Sequence, residues 1–552
     1  MATAPSTAAL PRKEIFLLKL AANDRYLCLK NNWPGGLFCA CVVASLVSNA
    51  AGQAVTTPQV IRSITIVRQD VFPVINRSPA FLYRLANRLH IMTRETVIRS
   101  DLLFAEGDVF DPELLAESER RLRRLAYLGE ARILAEKSSG DSVDVKVVTH
   151  DQWSTLISTI LNRGGGRTTV GGALEEFNFL GYGKQGFVEG RHEPEGTTWT
   201  FRFTDPQLLS SRWTTQQLFV SGPFTNSFSS QLVRPFYSLD TNWSWGGSLS
   251  LSENIIREFE SGLETNRFER QSNSFSVFID RAFGLRFKKT RVRLGYQFLD
   301  RDFSLTPGLT SQLPQDELIH RTSLRIRHEN LSFVKQKQLD KFIRTEDLTL
   351  GNISSFTIRR TALPILKGVK RFELLASHRA LMQFSTRHYF FILLAFQTLF
   401  ERDTITSLRL RYYDKSLPRQ TLAFNFEFDY DKDPEIERPF ILGGDTGLRG
   451  YPAREFSGNK RLLLNMEDRL FSPVNILTVQ LGGVAFLDAG NIWQISEDVN
   501  LADLNYSIGF GLRLGYTRSP NSRVGRIDFA WPLNRGGGFG VSVGVGQQFS
   551  LN

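Results

Sequence analysis

From Thr155 to the end of the chain, apolar and polar residues alternate one by one, the period of a β-strand whose two faces meet different surroundings. In "TLAFNFEFDY", Phe424, Phe426, Phe428 and Tyr430 fall on one face, and Asn425, Glu427 and Asp429 on the other. The same period recurs in "TTWTFRFT", "RVRLGYQF", "TSLRIRH", "SLRLRYY", "IGFGLRLGY" and "FGVSVGVGQQF". Arginine and glutamate this frequent on one face are costly in a dry core and ordinary in a water-filled lumen. The pattern therefore predicts a transmembrane antiparallel β-barrel over 155–552, apolar face to lipid and polar face to the lumen. The longest apolar run, "YFFILLAF" (Tyr389 to Phe396), is long enough for one strand and too short for a spanning helix. Units of about 25 residues over about 400 residues predict about 16 strands.

Before Thr155 the period changes. "IRSITIVRQDVF", from Ile61, alternates as a strand, whereas "DPELLAESERRLRRLAYL" has the helical period. Asp111 is placed to cap that helix and Pro112 to open it. Leu114, Leu115, Leu122, Leu125 and Leu128 form one stripe opposite a Glu/Arg face, and Gly129 ends it. "EARILAE" and "SVDVKVV", separated by "KSSGD", read as a hairpin. The predicted unit is a small α+β domain of order β-α-α-β-β over 58–150.

At the start, "LFCACVVASLV" (Leu37 to Val47) is an uncharged apolar stretch followed by the small residues "SNAAGQA", with Arg12, Lys13, Lys19, Arg25 and Lys30 upstream. Eleven apolar residues suit the core of a secretory signal, so 1–54 is expected to be a targeting segment with cleavage near Ala50 to Ala54. All three cysteines, Cys28, Cys39 and Cys41, lie within it. Its removal leaves no thiol for a disulfide or a thiolate metal site. The net charge of +11 is spread along the chain and gives no nucleic-acid signal. Forty-three phenylalanines against four methionines fit β-structure.

Enzymatic signatures are weak throughout. "GYGKQG" (Gly181 to Gly186) has dinucleotide-loop spacing, but no helical stripe follows it, so it reads as a strand and turn. "RGGGR" (Arg163 to Arg167) reads as a hairpin connection. "DYDKDPEIE" places Asp429, Asp431, Asp433, Glu435 and Glu437 at every second position without the glycine and ligand order of a calcium loop, and reads as a solvated rim. The histidines lack paired metal spacing, and no nucleophile elbow is present. The expectation is a protein without covalent chemistry, cofactor or metal.

"GGDTGLRGY" (443–451) puts one arginine, Arg449, on a glycine-rich loop that another surface can approach closely. In "LLLNMEDRLF" the alternation sets Asn465, Glu467 and Arg469 on one face, and "VAFLDAGNIW" places Asp488 between Phe486 and Gly490. With the apolar partners facing lipid, Glu467 and Asp488 point into the lumen, where an inward-folded loop around 441–458 would bring Arg449 to two carboxylates. The planar guanidinium suits paired hydrogen bonds to carboxylates better than an ammonium.

These three motifs together resemble the BamA/TamA superfamily, or bacterial surface-antigen family, which includes the two-partner secretion transporters. The stretch "LLFAEGDVFDPELLAESERRLRRLAYL", with Gly107 and Asp108, resembles a polypeptide-transport-associated (POTRA) domain. The resemblance covers nearly all of the chain after the targeting segment. It implies that Arg449, within Gly447, Leu448, Gly450 and Tyr451, contacts Asp488 of the Phe486–Gly490 strand motif inside the barrel, with Glu467 as the second acid. It also implies an outer-membrane protein with its POTRA domain in the periplasm, in contact with lipid, extended client polypeptides, and periplasmic chaperones or lipoproteins. Client strands would add at the POTRA edge and at the barrel seam, for insertion or translocation. There is room for one POTRA domain, where the assembly proteins carry several and the two-partner transporters two. The alternation alone is equally consistent with a passive solute channel tethered by the small domain, or with a platform for another chain.

Overall fold

The computed structural model describes residues 59–72, 80–137, 141–164, 167–260, 263–306, 313–363, 369–399, 402–432, 440–444, 446–520, 523–534 and 539–551. Residues 1–54, the expected targeting segment with its three cysteines, lie outside the described residues, as do Asp433, Glu435 and Glu437.

An N-terminal module contains β1 (Val60–Gln69), α1 (Ala80–Leu89), α2 (Glu95–Asp101), α3 (Pro112–Arg124), β2 (Leu128–Lys137) and β3 (Ser142–Asp151). Its sheet has the order β1-β3-β2, with β1 parallel and β2 antiparallel to β3. The module holds three helices where the sequence pattern predicts two, the additional one being α1. As expected, Asp111 caps α3, its carboxylate accepting from Glu113 N at 2.8 Å. The helix ends at Arg124 and not at Gly129, because Leu125 is already extended and Gly129 belongs to β2. Leu115 and Leu122 bury against Ile61, Val143, Val145 and Val147 of the sheet.

The remaining strands are β4 (Thr155–Gly164), β5 (Arg167–Phe179), β6 (Lys184–Glu193), β7 (Gly196–Asp205), β8 (Thr214–Gly222) and β9 (Thr225–Arg234). Longer ones follow: β10 (Trp243–Glu260), β11 (Leu263–Leu285), β12 (Lys288–Leu305), β13 (Glu317–Gln336), β14 (Glu346–Leu363) and β15 (Val369–Ser385). Then come β16 (His388–Leu399), β17 (Arg402–Asp414), β18 (Gln420–Asp431), β19 (Phe440–Leu442), β20 (Phe456–Gly458), β21 (Lys460–Ile476), β22 (Val479–Trp493), β23 (Asn505–Tyr516), β24 (Val524–Pro532) and β25 (Gly540–Val545).

Apart from the β19–β20 hairpin, these strands form one antiparallel sheet in chain order, with β18 pairing directly to β21 and β25 followed in the order by β4. Among the described residues the sheet has twenty strands, not sixteen. Each strand with its connection takes about 20 residues, because β4 to β9 are nine to thirteen residues long and residues 194–195 and 223–224 suffice for two of their turns. "GYGKQG" lies at the β5–β6 turn, with Gly181 and Gly183 at positive φ and a strand after it, which leaves no helix to receive a dinucleotide phosphate.

The burial of this sheet is inverted relative to a soluble protein. Trp199, Phe201, Phe203, Ile508, Phe510 and Leu512 are exposed, whereas Arg449, Arg469 and Arg513 are the largest fully buried side chains. A sheet whose outer face meets hydrocarbon and whose inner face carries charge has this distribution.

The Glu/Arg face of α3 is buried too: Glu117, Glu119 and Arg123 are covered by strand ends and connections of the sheet. Arg123 makes a two-pronged contact with Asp347, Nε to Oδ2 at 2.7 Å and Nη2 to Oδ1 at 2.6 Å. Glu119 meets Lys335, the Glu117 carboxylate accepts from Leu239 N at 2.7 Å, and Arg344 donates to the Arg123 carbonyl. Arg286 joins Asp111 at 2.8 Å and Glu113 at 2.9 Å.

Candidate functional site: the Arg449 cluster

The loop between β18 and β21 turns back on itself. Gly444 N donates to Pro452 O at 3.2 Å and Leu448 N to Gly443 O at 3.0 Å, closing the two limbs beyond the β19–β20 hairpin. Gly443 and Gly444 are needed for that approach, since a Cβ at either would lie within 2.5 Å of the opposite limb's carbonyl oxygens. Gly447 (φ 116°) and Gly450 (φ 89°) hold the backbone in the left-handed region on either side of Leu448 and Arg449. Leu448 and Tyr451 bury with Leu442, Leu463 and Ile492, and Tyr451 Oη donates to Tyr506 O at 3.0 Å. These contacts lay the loop against the polar faces of β21 and β22. Gly450 also abuts Gly540, whose Cβ would lie 2.9 Å from the Gly450 Cα, so the loop touches the last strand as well.

Arg449 is 1% exposed and every polar face of its guanidinium is used. Nε donates to Asp488 Oδ2 at 2.8 Å, Nη2 to Asp488 Oδ1 at 2.7 Å and Nη1 to Glu467 Oε1 at 2.8 Å. Asp528 Oδ2 lies 3.5 Å from Nη1, and the Arg449 backbone N–H donates to Asp488 Oδ2 at 3.2 Å. The fork-to-carboxylate geometry with Asp488 is one that lysine cannot reproduce. Asn465 ties loop to acid, its Nδ2 donating both to Gly447 O and to Asp488 Oδ1 at 2.8 Å.

Phe486 lies two residues from Asp488 and so shares its inward face, with its ring centre 3.5 Å from the Arg449 Cζ. Gly509 makes room for that ring, since a Cβ there would lie 2.4 Å from Phe486 Cζ. Gly490 opens the same face to the hairpin, its missing Cβ lying 3.0 Å from Leu442 Cδ2.

The cluster extends beyond the expected residues. Glu467 Oε2 accepts from Arg469 Nε at 2.8 Å; Arg469 Nη1 then reaches Asp340 Oδ1 at 2.9 Å and Nη2 the Phe549 carbonyl at 2.7 Å. Asp340 lies in the β13–β14 connection and its Oδ2 accepts from Leu551 N at 3.1 Å, so the chain terminus is drawn into the same network. Arg513 pairs with Asp528 beside Arg449. The alternation of β23 and β24 carried a signal for Arg513 and Asp528; Asp340 lies in a connection with no periodicity to mark it.

Asp429 of the acidic run is gripped by Arg409 at 2.8 Å and Arg461 at 2.7 Å, an ion-pair role that needs no metal. Among the described residues no group of histidine, cysteine and carboxylate side chains is arranged to hold a metal ion.

Residues 384–549, which include the loop, β21 and β22, match the Omp85 superfamily domain. A search of curated protein sequences finds no match. Among solved structures, the chain is similar to BamA from Haemophilus ducreyi lacking POTRA domains 1–3, at 12% identity and a TM-score of 0.35, covering 88% of this chain and 83% of that one. It is also similar to CdiB from Acinetobacter baumannii (11% identity, TM-score 0.40, 89% of this chain and 74% of that one) and CdiB from Escherichia coli (14%, 0.40, 91% and 92%). The motif sequence and the domain match lead to one assignment: residues 384–549 carry an Omp85 superfamily domain, and the chain resembles BamA/TamA-like proteins.

Proposed function

We propose that this protein is an outer-membrane factor that inserts or translocates polypeptides, with residues 58–150 forming a periplasmic POTRA domain and 155–552 the barrel. The observation that carries the proposal is the buried Arg449–Asp488–Glu467 cluster within the Omp85-matching region, which anchors a loop to β21 and β22 while Gly450 beside it abuts the last strand. The chemistry is non-covalent. An extended client segment adds to an open edge of the β1-β3-β2 sheet, and the seam where β25 meets β4 parts to template or pass it. Two features support a yielding seam: β25 has only six residues, and after it Gly546 (φ 90°) turns the chain so that Phe549 and Leu551 are buried beside Tyr413 and Leu339. Arg449 locks the loop and keeps the seam poised.

The test is the outer-membrane proteome of cells depleted of this chain. Loss of a definite set of barrel or secreted proteins, restored by the wild-type chain, is the expected result. An unchanged proteome accompanied by altered solute uptake would replace this reading with that of a channel.

A further inference from the structure

The inner face of the sheet is charged unevenly. From β17 to β24, arginines and carboxylates alternate in space and pair off: Arg409 and Arg461 with Asp429, Arg469 with Glu467, and Arg513 with Asp528. On β12 and β13 the pattern is different. Arg293 stands directly opposite Arg325, and two residues along Arg291 stands directly opposite Arg327. Like charges in directly opposed positions of an antiparallel pair repel one another, so this block of four guanidinium groups works against pairing of its own strands.

Two acids border the block. Asp280 meets Arg293 at 2.9 Å, and Glu329 meets Arg327 at 2.6 Å and Arg291 at 3.2 Å. Arg325 has no ion pair or hydrogen bond among the described residues, nor has Arg379, on the strand beyond β14. Arg379 lies level with Glu329 through the paired positions Glu329–Ile353 and Ile353–Arg379. Aromatic rings fix two of the guanidinium groups: Arg291 Cζ lies 4.3 Å from the Phe236 ring centre and Arg293 Cζ 4.0 Å from that of Phe278. The four arginines are part-exposed on the inward face, while their chain neighbours Leu294, Leu324 and Ile326 are exposed on the other.

We propose that the Arg291, Arg293, Arg325 and Arg327 block, with Arg379 at its flank, is an anion-binding site of the lumen that takes a phosphoryl group. Opposed, part-exposed guanidinium groups set several N–H donors side by side on one face, the kind of donor by which arginine recognises phosphate. After Asp280 and Glu329 are counted, the block of four keeps two positive charges. A carboxylate neutralises one of them, and a phosphoryl dianion both. The block faces away from the apolar surface, so its ligand arrives through water and not as a membrane lipid. The block shares no residue with the Arg449 cluster, and the proposal does not rest on the reading of that cluster.

The test uses the purified full chain in a zwitterionic detergent, titrated with sodium tripolyphosphate by calorimetry at low salt. The variants are Arg325→Gln with Arg379→Gln, which leave no acid stripped of a partner, and Arg191→Gln with Arg202→Gln, which remove the same charge from β6 and β7. We expect saturable binding by wild type, binding about tenfold weaker in the Arg325/Arg379 variant, and near wild-type binding in the Arg191/Arg202 variant. Heat-modifiable gel mobility establishes that each barrel is folded. Absence of saturable binding by the folded wild type would overturn the site, as would equal weakening in both double variants, which would indicate a general charge effect.

Discussion

Arg449 and Asp488 meet through three hydrogen bonds, two from the guanidinium and one from the Arg449 backbone N–H, at 2.7, 2.8 and 3.2 Å. The pair joins a loop to a strand 39 residues away in sequence, in a setting where neither side chain reaches solvent.

Removing one partner of such a buried pair leaves the other charge uncompensated, at a cost of about 3–5 kcal/mol. Arg449→Ala is therefore expected to lower the thermal unfolding transition of the barrel markedly, and Asp488→Ala to act in the same direction. Arg449→Lys should recover only part of the loss, because a lysine cannot span Asp488 and Glu467 together. Melting curves of the three variants check the ranking; a lysine variant equal to wild type would remove the fork geometry from the account.

Phe486→Leu keeps an apolar side chain and removes the ring under the guanidinium. A loss of about 1–2 kcal/mol is expected from the cation–π contact in this desolvated place. In an Arg449→Ala background the same substitution should cost less, and a double-mutant cycle reads that difference.

Gly450→Ala adds one methyl at φ 89°, where an L-residue is strained by about 1–2 kcal/mol, and brings its Cβ to 3.2 Å from the Ala530 Cβ. The loop should become cleavable by added protease between 443 and 455 while strand content is unchanged. Resistance equal to wild type would show that the loop's seat tolerates the change.

The module's contact with the barrel connections should depend on pH through two neighbouring glutamates. For Glu119 burial pushes the carboxyl upward, but Lys335, the Ile133 N–H and Arg123 outweigh it and hold the pKa below the usual glutamate value. Its stabilisation is present above the unfolded pKa and is lost as pH falls through the lowered folded pKa. Glu117 is the opposite: burial raises its pKa, so its contribution is present below the unfolded value and is lost as pH rises through the raised one. Protection factors across α3, corrected for the intrinsic pH dependence of amide exchange, should fall further on acidification in wild type than in Glu119→Gln. Glu117→Gln should slow exchange at neutral pH, since the amide oxygen still accepts from Leu239 N without a buried charge.

The period-two alternation made the sheet legible, because a strand between lipid and water writes its two faces directly into the sequence. Arg449, Glu467 and Asp488 were legible for the same reason, together with the glycines that let the loop approach. The strand number was not, since turns of two residues leave almost no mark between one alternating run and the next. The partners of the charged face of α3 leave no local mark, because Asp347 and Lys335 lie more than two hundred residues after Arg123 and Glu119. Asp340 and the terminal Leu551 join the site through the folding of connections, for which no periodicity exists.

The most direct test of the central claim is complementation of depleted cells with wild type, Arg449→Ala or Asp488→Ala, scoring client proteins in the outer membrane per unit of heat-modifiable, folded barrel. The account predicts that both variants deliver clients poorly even after this normalisation. Full delivery by both, at wild-type folded levels, would contradict it.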